Sequence, residues 1–103
     1  MHLYRVYVVE VLPLRGHRYL YVGQTALSLD ARLAQHAGGK RYCDQCTLRR
    51  YVVARSGDRI RLRRDLGKRL ERQRFTERRD AERAERGLAR ELRGRGYRVR
   101  GGH

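Results

Sequence analysis

The stretch from Leu3 to Val11 most restricts what this chain can fold into. Apart from Arg5 and Glu10 it is apolar or aromatic, and β-branched residues and tyrosine dominate it. Such a run favours an extended strand covered by other structure. Pro13 and Gly16 then bracket a loop. Arg18 to Gly23 (RYLYVG) reads as a second strand, close enough to pair with the first as an antiparallel hairpin. Side chains alternate along a strand. Arg5, Tyr7 and Val9 therefore share one face of the first strand and Tyr4, Val6 and Val8 the other, while Tyr19 and Tyr21 share a face of the second.

Ser28 is an N-cap candidate for a helix from about Leu29 to Ala37, with Asp30 in its first turn and Gly38-Gly39 at its end. Thr47 opens a short helix through Leu48, Tyr51 and Val52 that Ser56-Gly57 stops. The alternation in Asp58 to Leu62 (DRIRL) turns Ile60 and Leu62 inward on a third strand. The basic segment from Gly67 to Phe75 has no periodicity that places it. The longest helical pattern follows Thr76 and ends near Gly94 to Gly96, and Tyr97 to Arg100 is a final extended piece. The expected fold is one α+β domain over residues 1–103, a small antiparallel three-stranded sheet (the hairpin plus the third strand) flanked by helices.

Charge narrows the function. Lys and Arg total 26 against 11 Asp and Glu, a formal net charge of +15 on 103 residues. Codon bias accounts for 24 Arg against 2 Lys, but not for the excess of basic over acidic residues. A polyanionic partner is expected, because each neutralised phosphate releases counterions. No helical pattern pairs a basic face with a broad Trp/Phe/Leu face, so nucleic acid is favoured over a membrane surface. No apolar run reaches the ~20 residues of a membrane span. The N-terminus lacks the small-residue cleavage site of a signal peptide, and cysteines are few, which together point to the cytoplasm.

Several residues have two readings. Arg32 and His36 lie at i,i+4 on one helix face, where they form either a basic surface pair or a phosphate-binding guanidinium with a proton-shuttling imidazole. Ala81, Ala84, Leu88 and Leu92 form the apolar stripe of the last helix, and Glu85 falls within it, with Glu82 and Glu91 on the flanks. A carboxylate on the core side is costly without a cation. Glu85 is therefore either salt-bridged to an arginine or a ligand for a hard cation such as Mg²⁺. Tyr7, Tyr19 and Tyr21 suit cross-strand packing. A phenol among many cations is also a candidate general base. Cys43 and Cys46 (CDQC) are reduced structural or incidental thiols, a disulfide or redox motif without the βαβ setting such motifs have, or half of a metal site completed by His36 or in trans.

Taken in order, Arg5-Val6-Tyr7, Tyr21-Val22-Gly23 with Gln24-Thr25, Arg32-x3-His36 and a glutamate on a late helix resemble the GIY-YIG endonuclease superfamily, most closely its small stand-alone bacterial type. That type commonly reads VYV, YVGQT, R to QH, an LR-x-DL stretch, a helix with a glutamate, and LR to GY-x-V. The corresponding stretches here are Val6-Tyr7-Val8, Tyr21 to Thr25, Arg32 to His36, Leu62 to Leu66 and Leu92 to Val99, so the resemblance covers most of the chain. It departs at Arg5, which stands where the signature has its first glycine, and in the CDQC loop.

The resemblance implies a metal-dependent DNA endonuclease that hydrolyses phosphodiesters in repair or recombination. Tyr7 and Tyr21 would be the signature tyrosines, Arg32 the catalytic arginine, His36 its accompanying histidine and Glu85 the ligand of Mg²⁺ or Mn²⁺. The remaining arginines would hold the DNA backbone. The small core leaves scope for a homodimer or for docking onto a larger repair partner. The rival expectation is a basic nucleic-acid-binding module that keeps the fold and cuts nothing.

Overall fold

The computed structural model describes residues 3–26, 31, 34, 57–71 and 73–101. The expected helix over 47–52 falls outside these residues. Of the helix expected over 29–37, residues 31 and 34 are described, and both are helical.

The hairpin forms where the sequence places it, from β1 (Arg5–Leu12) and β2 (Tyr19–Thr25), in antiparallel register with Tyr7 opposite Gly23 and Val9 opposite Tyr21. On the other edge of β1 lies β3 (Arg59–Leu62), which sets Ile60 opposite Val11 and Leu62 opposite Val9. Helix α1 (Arg64–Glu71) follows directly, and the longer α2 (Arg78–Gly94) follows after a short connection. Within that connection Phe75 exchanges two backbone hydrogen bonds with Tyr4, of 2.8 and 2.9 Å, which ties the start of α2 to the start of β1.

The sheet departs from the expected three antiparallel strands. A fourth, β4 (Val99–Gly101), pairs parallel with β2, giving a mixed sheet of order β3-β1-β2-β4. Three residues are too few to show a period of two, so the extended Tyr97 to Arg100 piece gave no sign of a sheet partner. The pairing depends on the α2 crossover, which returns the chain alongside β2 in the parallel sense. Two features fix it. Arg93, in the last turn of α2, donates to the carbonyls of both Val99 and Gly101 at 3.2 Å. Gly101 has φ +79°, and a Cβ there would collide with the Val22 carbonyl, so only glycine lets the strand close this tightly.

The two faces of the sheet carry separate apolar clusters. Val6, Val8, Leu20 and Val22 face the helices and pack with Ala81, Leu88, Ala89 and Leu92 of α2, with Leu66 of α1 at their margin. Tyr7, Val9, Val11, Tyr19 and Tyr21 share the opposite face with Ile60 and Leu62. Both clusters are buried, which explains why β1 is nearly all apolar instead of alternating. Each large apolar side chain fully removed from water contributes about 1.5–3 kcal/mol, and most of the buried apolar side chains among the described residues belong to β1 and β2.

Candidate active site

Tyr7 and Tyr21 come together because odd positions of β1 and β2 point to the same face. Their ring centroids are 6.3 Å apart with planes inclined at 43°, a tilted contact of the kind aromatic pairs prefer. Both are buried. The contact depends on Gly23, the register partner of Tyr7. A Cβ at that position would lie 2.6 Å from the Tyr7 hydroxyl and 2.8 Å from Cε1 of Tyr21. Gly23 is the floor over which the Tyr7 ring lies. Sequence reading flagged the YVG order but not this role, although an isolated glycine inside a strand is a signal of close approach.

Glu85 falls inside the apolar stripe of α2 and is 2 % exposed, between Ala81 and Leu88-Ala89. Glu82, on the flank, is half-buried and pairs with Arg78 at 3.2 Å, and Glu91 is exposed. The helical periodicity thus separated the buried carboxylate from its neighbours. The stripe packs on the Val6, Val8 and Val22 side of the sheet, whereas the Tyr7 and Tyr21 rings occupy the other side. The structure therefore joins the two tyrosines and sets Glu85 across the sheet from them. Arg32 and His36, like Cys43 and Cys46, lie outside the described residues.

Among the described residues there is no group of three or more His, Cys, Asp and Glu side chains able to hold a metal ion. Glu85 fits such an ion through the chemistry of its donor set alone. A single carboxylate completed by water and substrate phosphate oxygens is how Mg²⁺ is commonly held.

A second charged cluster lies on the helix-facing side of β1. Glu10, 7 % exposed, accepts hydrogen bonds from Arg61 Nε at 3.0 Å and Arg63 Nη1 at 2.5 Å. Arg63 also grips Asp65 through Nε and Nη2, at 3.0 and 2.9 Å. Burial pushes the Glu10 carboxyl up. The hydrogen bonds from Arg63 and Arg61, together with their charges, outweigh it and hold the group below the usual carboxylate range. In the sequence Glu10 is only an interruption of an apolar run. Its hydrogen-bond donors are more than fifty residues away and become visible once the β1–β3 register places Arg61 opposite it. Beside this cluster a shallow cleft opens where β3 ends and α1 begins, between Val6, Tyr7 and Val8 on one side and Leu62, Arg63 and Gly67 on the other.

No helix among the described residues is long and apolar enough to cross a membrane. The chain matches no protein-family model, no curated protein and no solved structure.

Proposed function

We propose that this chain is a divalent-metal-dependent DNA endonuclease acting on DNA in repair or recombination. The observation that carries the reading is the meeting of Tyr7 and Tyr21 across Gly23, which puts side by side the two phenols that the resemblance marks. In this reading Tyr7, as a phenolate stabilised by neighbouring cations, takes the proton of the attacking water, and Tyr21 holds that water or the scissile phosphate in line. Arg32 opposes the charge that develops at phosphorus, and His36 passes on the proton or orients Tyr7. Glu85 is the residue that would hold Mg²⁺ or Mn²⁺. When bound, the ion polarises a non-bridging oxygen and stabilises the leaving oxyanion. The net charge of +15 supplies affinity for the backbone without sequence choice.

The test is nicking of supercoiled plasmid. Conversion to the open circle is expected with Mg²⁺ or Mn²⁺ and is expected to stop with EDTA. Plasmid that stays supercoiled with every metal while the protein binds it overturns the nuclease reading.

One observation favours the second reading, a binding module without catalysis. A one-carboxylate Mg²⁺ site needs about five further oxygen ligands, and at 2 % exposure Glu85 offers solvent little access. In that case DNA binding persists, and neither EDTA nor a change at Glu85 alters any activity.

A further inference from the structure

We propose that the solvent face of α2 is a docking ridge for the phosphates of B-form DNA, with Arg83, Arg86 and Arg90 as its contacts. The inference rests on the nucleic-acid-binding part of the reading above and assigns its surface; the ridge faces away from the sheet and is separate from the Tyr7 and Tyr21 pair on the sheet's opposite face. Spaced at i, i+3 and i+7, the three guanidiniums lie within roughly 60° of one another around the helix and span about 10 Å along it. All three residues are exposed, and among the described residues none of them has an ion pair or hydrogen bond.

Many other arginines are already engaged. Arg61 and Arg63 are held by Glu10, and Arg63 also by Asp65. Arg78 pairs with Glu82 and Arg79 with Glu77. Arg93 clamps β4, while Arg95 and Arg100 lie over the rings of Tyr97 and Tyr19. On α2 itself, Asp80 and Glu91 stand about 90° round from the ridge; Glu82 is nearer, about 40° from Arg86, and is paired with Arg78, while Glu85 is buried on the far side. Among the described residues, Arg83, Arg86 and Arg90 form a straight row of positive charge along one helix with no ion-pair partner.

The occupant follows from shape and chemistry. A membrane is disfavoured because the apolar stripe of α2 is packed against the sheet. The helix has no aromatic residue on which single-stranded bases would stack. The major groove of A-form RNA is too narrow and deep for a helix. B-form DNA, with a groove about 12 Å wide between its phosphate rows, accepts one.

The test is fluorescence anisotropy of a short labelled DNA duplex, titrated at several salt concentrations. Three proteins are compared: wild type, R83Q/R86Q/R90Q, and a charge-matched control, R15Q/R59Q/R98Q, taken from exposed positions elsewhere. Glutamine keeps helix propensity close to that of arginine, so far-UV melting of the ridge variant is expected to match wild type. Loss of three phosphate contacts lowers the slope of log K against log salt by about 2.7, so the affinity gap from wild type narrows about 40-fold between 50 and 200 mM salt. The control is expected to lose less than one unit of slope. Equal losses in the two triple variants overturn the ridge, as does tighter binding of single-stranded DNA or of an RNA duplex. If wild type binds none of these nucleic acids at low salt, the nucleic-acid reading itself fails. If wild type binds and only the ridge variant is indistinguishable from the control, that reading stands and the ridge alone is lost.

Discussion

Replacing Glu10 with glutamine is expected to lower the melting temperature at pH 7 by about 10–20 °C, the counterpart of about 2–3 kcal/mol in a domain of this size. The substitution removes the anion and leaves the mostly buried Arg63 with one partner fewer. Breaking a fully buried pair costs about 3–5 kcal/mol. The smaller figure applies here because Arg63 keeps Asp65 and Arg61 is largely open to solvent. R61Q should therefore cost less than about 1 kcal/mol. The pH dependence follows from the direction of the shift. Folding holds the Glu10 carboxyl below its unfolded value of about 4.3. Its contribution is fully present above that value and is lost as pH falls through the lower, folded one. Thermal melts should show wild type and E10Q converging below about pH 4. A gap that is constant from pH 7 to pH 3 would mean that the carboxylate charge contributes nothing.

Alanine at Gly23 is expected to damage both stability and cleavage. The new methyl would sit 2.6 Å from the Tyr7 hydroxyl and 2.8 Å from a Tyr21 ring carbon. Neither ring has open space to move into, since Tyr7 is 3 % and Tyr21 0 % exposed. Overpacking of this kind costs about 1–3 kcal/mol, or roughly 5–20 °C in melting temperature. A displacement near 1 Å at a reacting group slows chemistry by about 100-fold, so plasmid nicking should fall by more than the loss of folded protein explains. Gly87 is the control. Nothing lies within 4 Å of a Cβ there, and G87A should keep both properties. Equal behaviour of the two variants would remove Gly23 from its place beneath Tyr7.

What the sequence disclosed and what it withheld divide along physical lines. The hairpin, the inward Ile60 and Leu62, and the α2 stripe with Glu85 inside it were all legible, because each is a periodic pattern within one element. α1 was not, because five of its eight residues are charged and Leu66 is the hydrophobic residue of the helix seen to pack with the apolar cluster. β4 was not, because three residues carry no period and the pairing is parallel through a helix. Among the candidate site residues, the shared face of Tyr7 and Tyr21 followed from strand alternation alone. The side of the sheet on which Glu85 packs did not. That depends on where α2 lies across β1 and β2, which is fixed by the Tyr4–Phe75 bridge and the β4 pairing, neither of which leaves a local pattern.

The proposed chemistry requires Tyr7 and Glu85 to serve one site although they approach it from opposite faces of the sheet. A double-mutant cycle on the nicking rate, with Tyr7→Phe, Glu85→Gln and the two combined, tests this most directly at matched DNA occupancy. Groups that act as a unit are strongly non-additive. Each single change is expected to slow Mg²⁺-dependent nicking by about 100-fold or more, and the double variant by no more than a few-fold beyond the slower single one. Single effects that multiply in the double variant, or a rate unchanged by Glu85→Gln, would contradict a shared site.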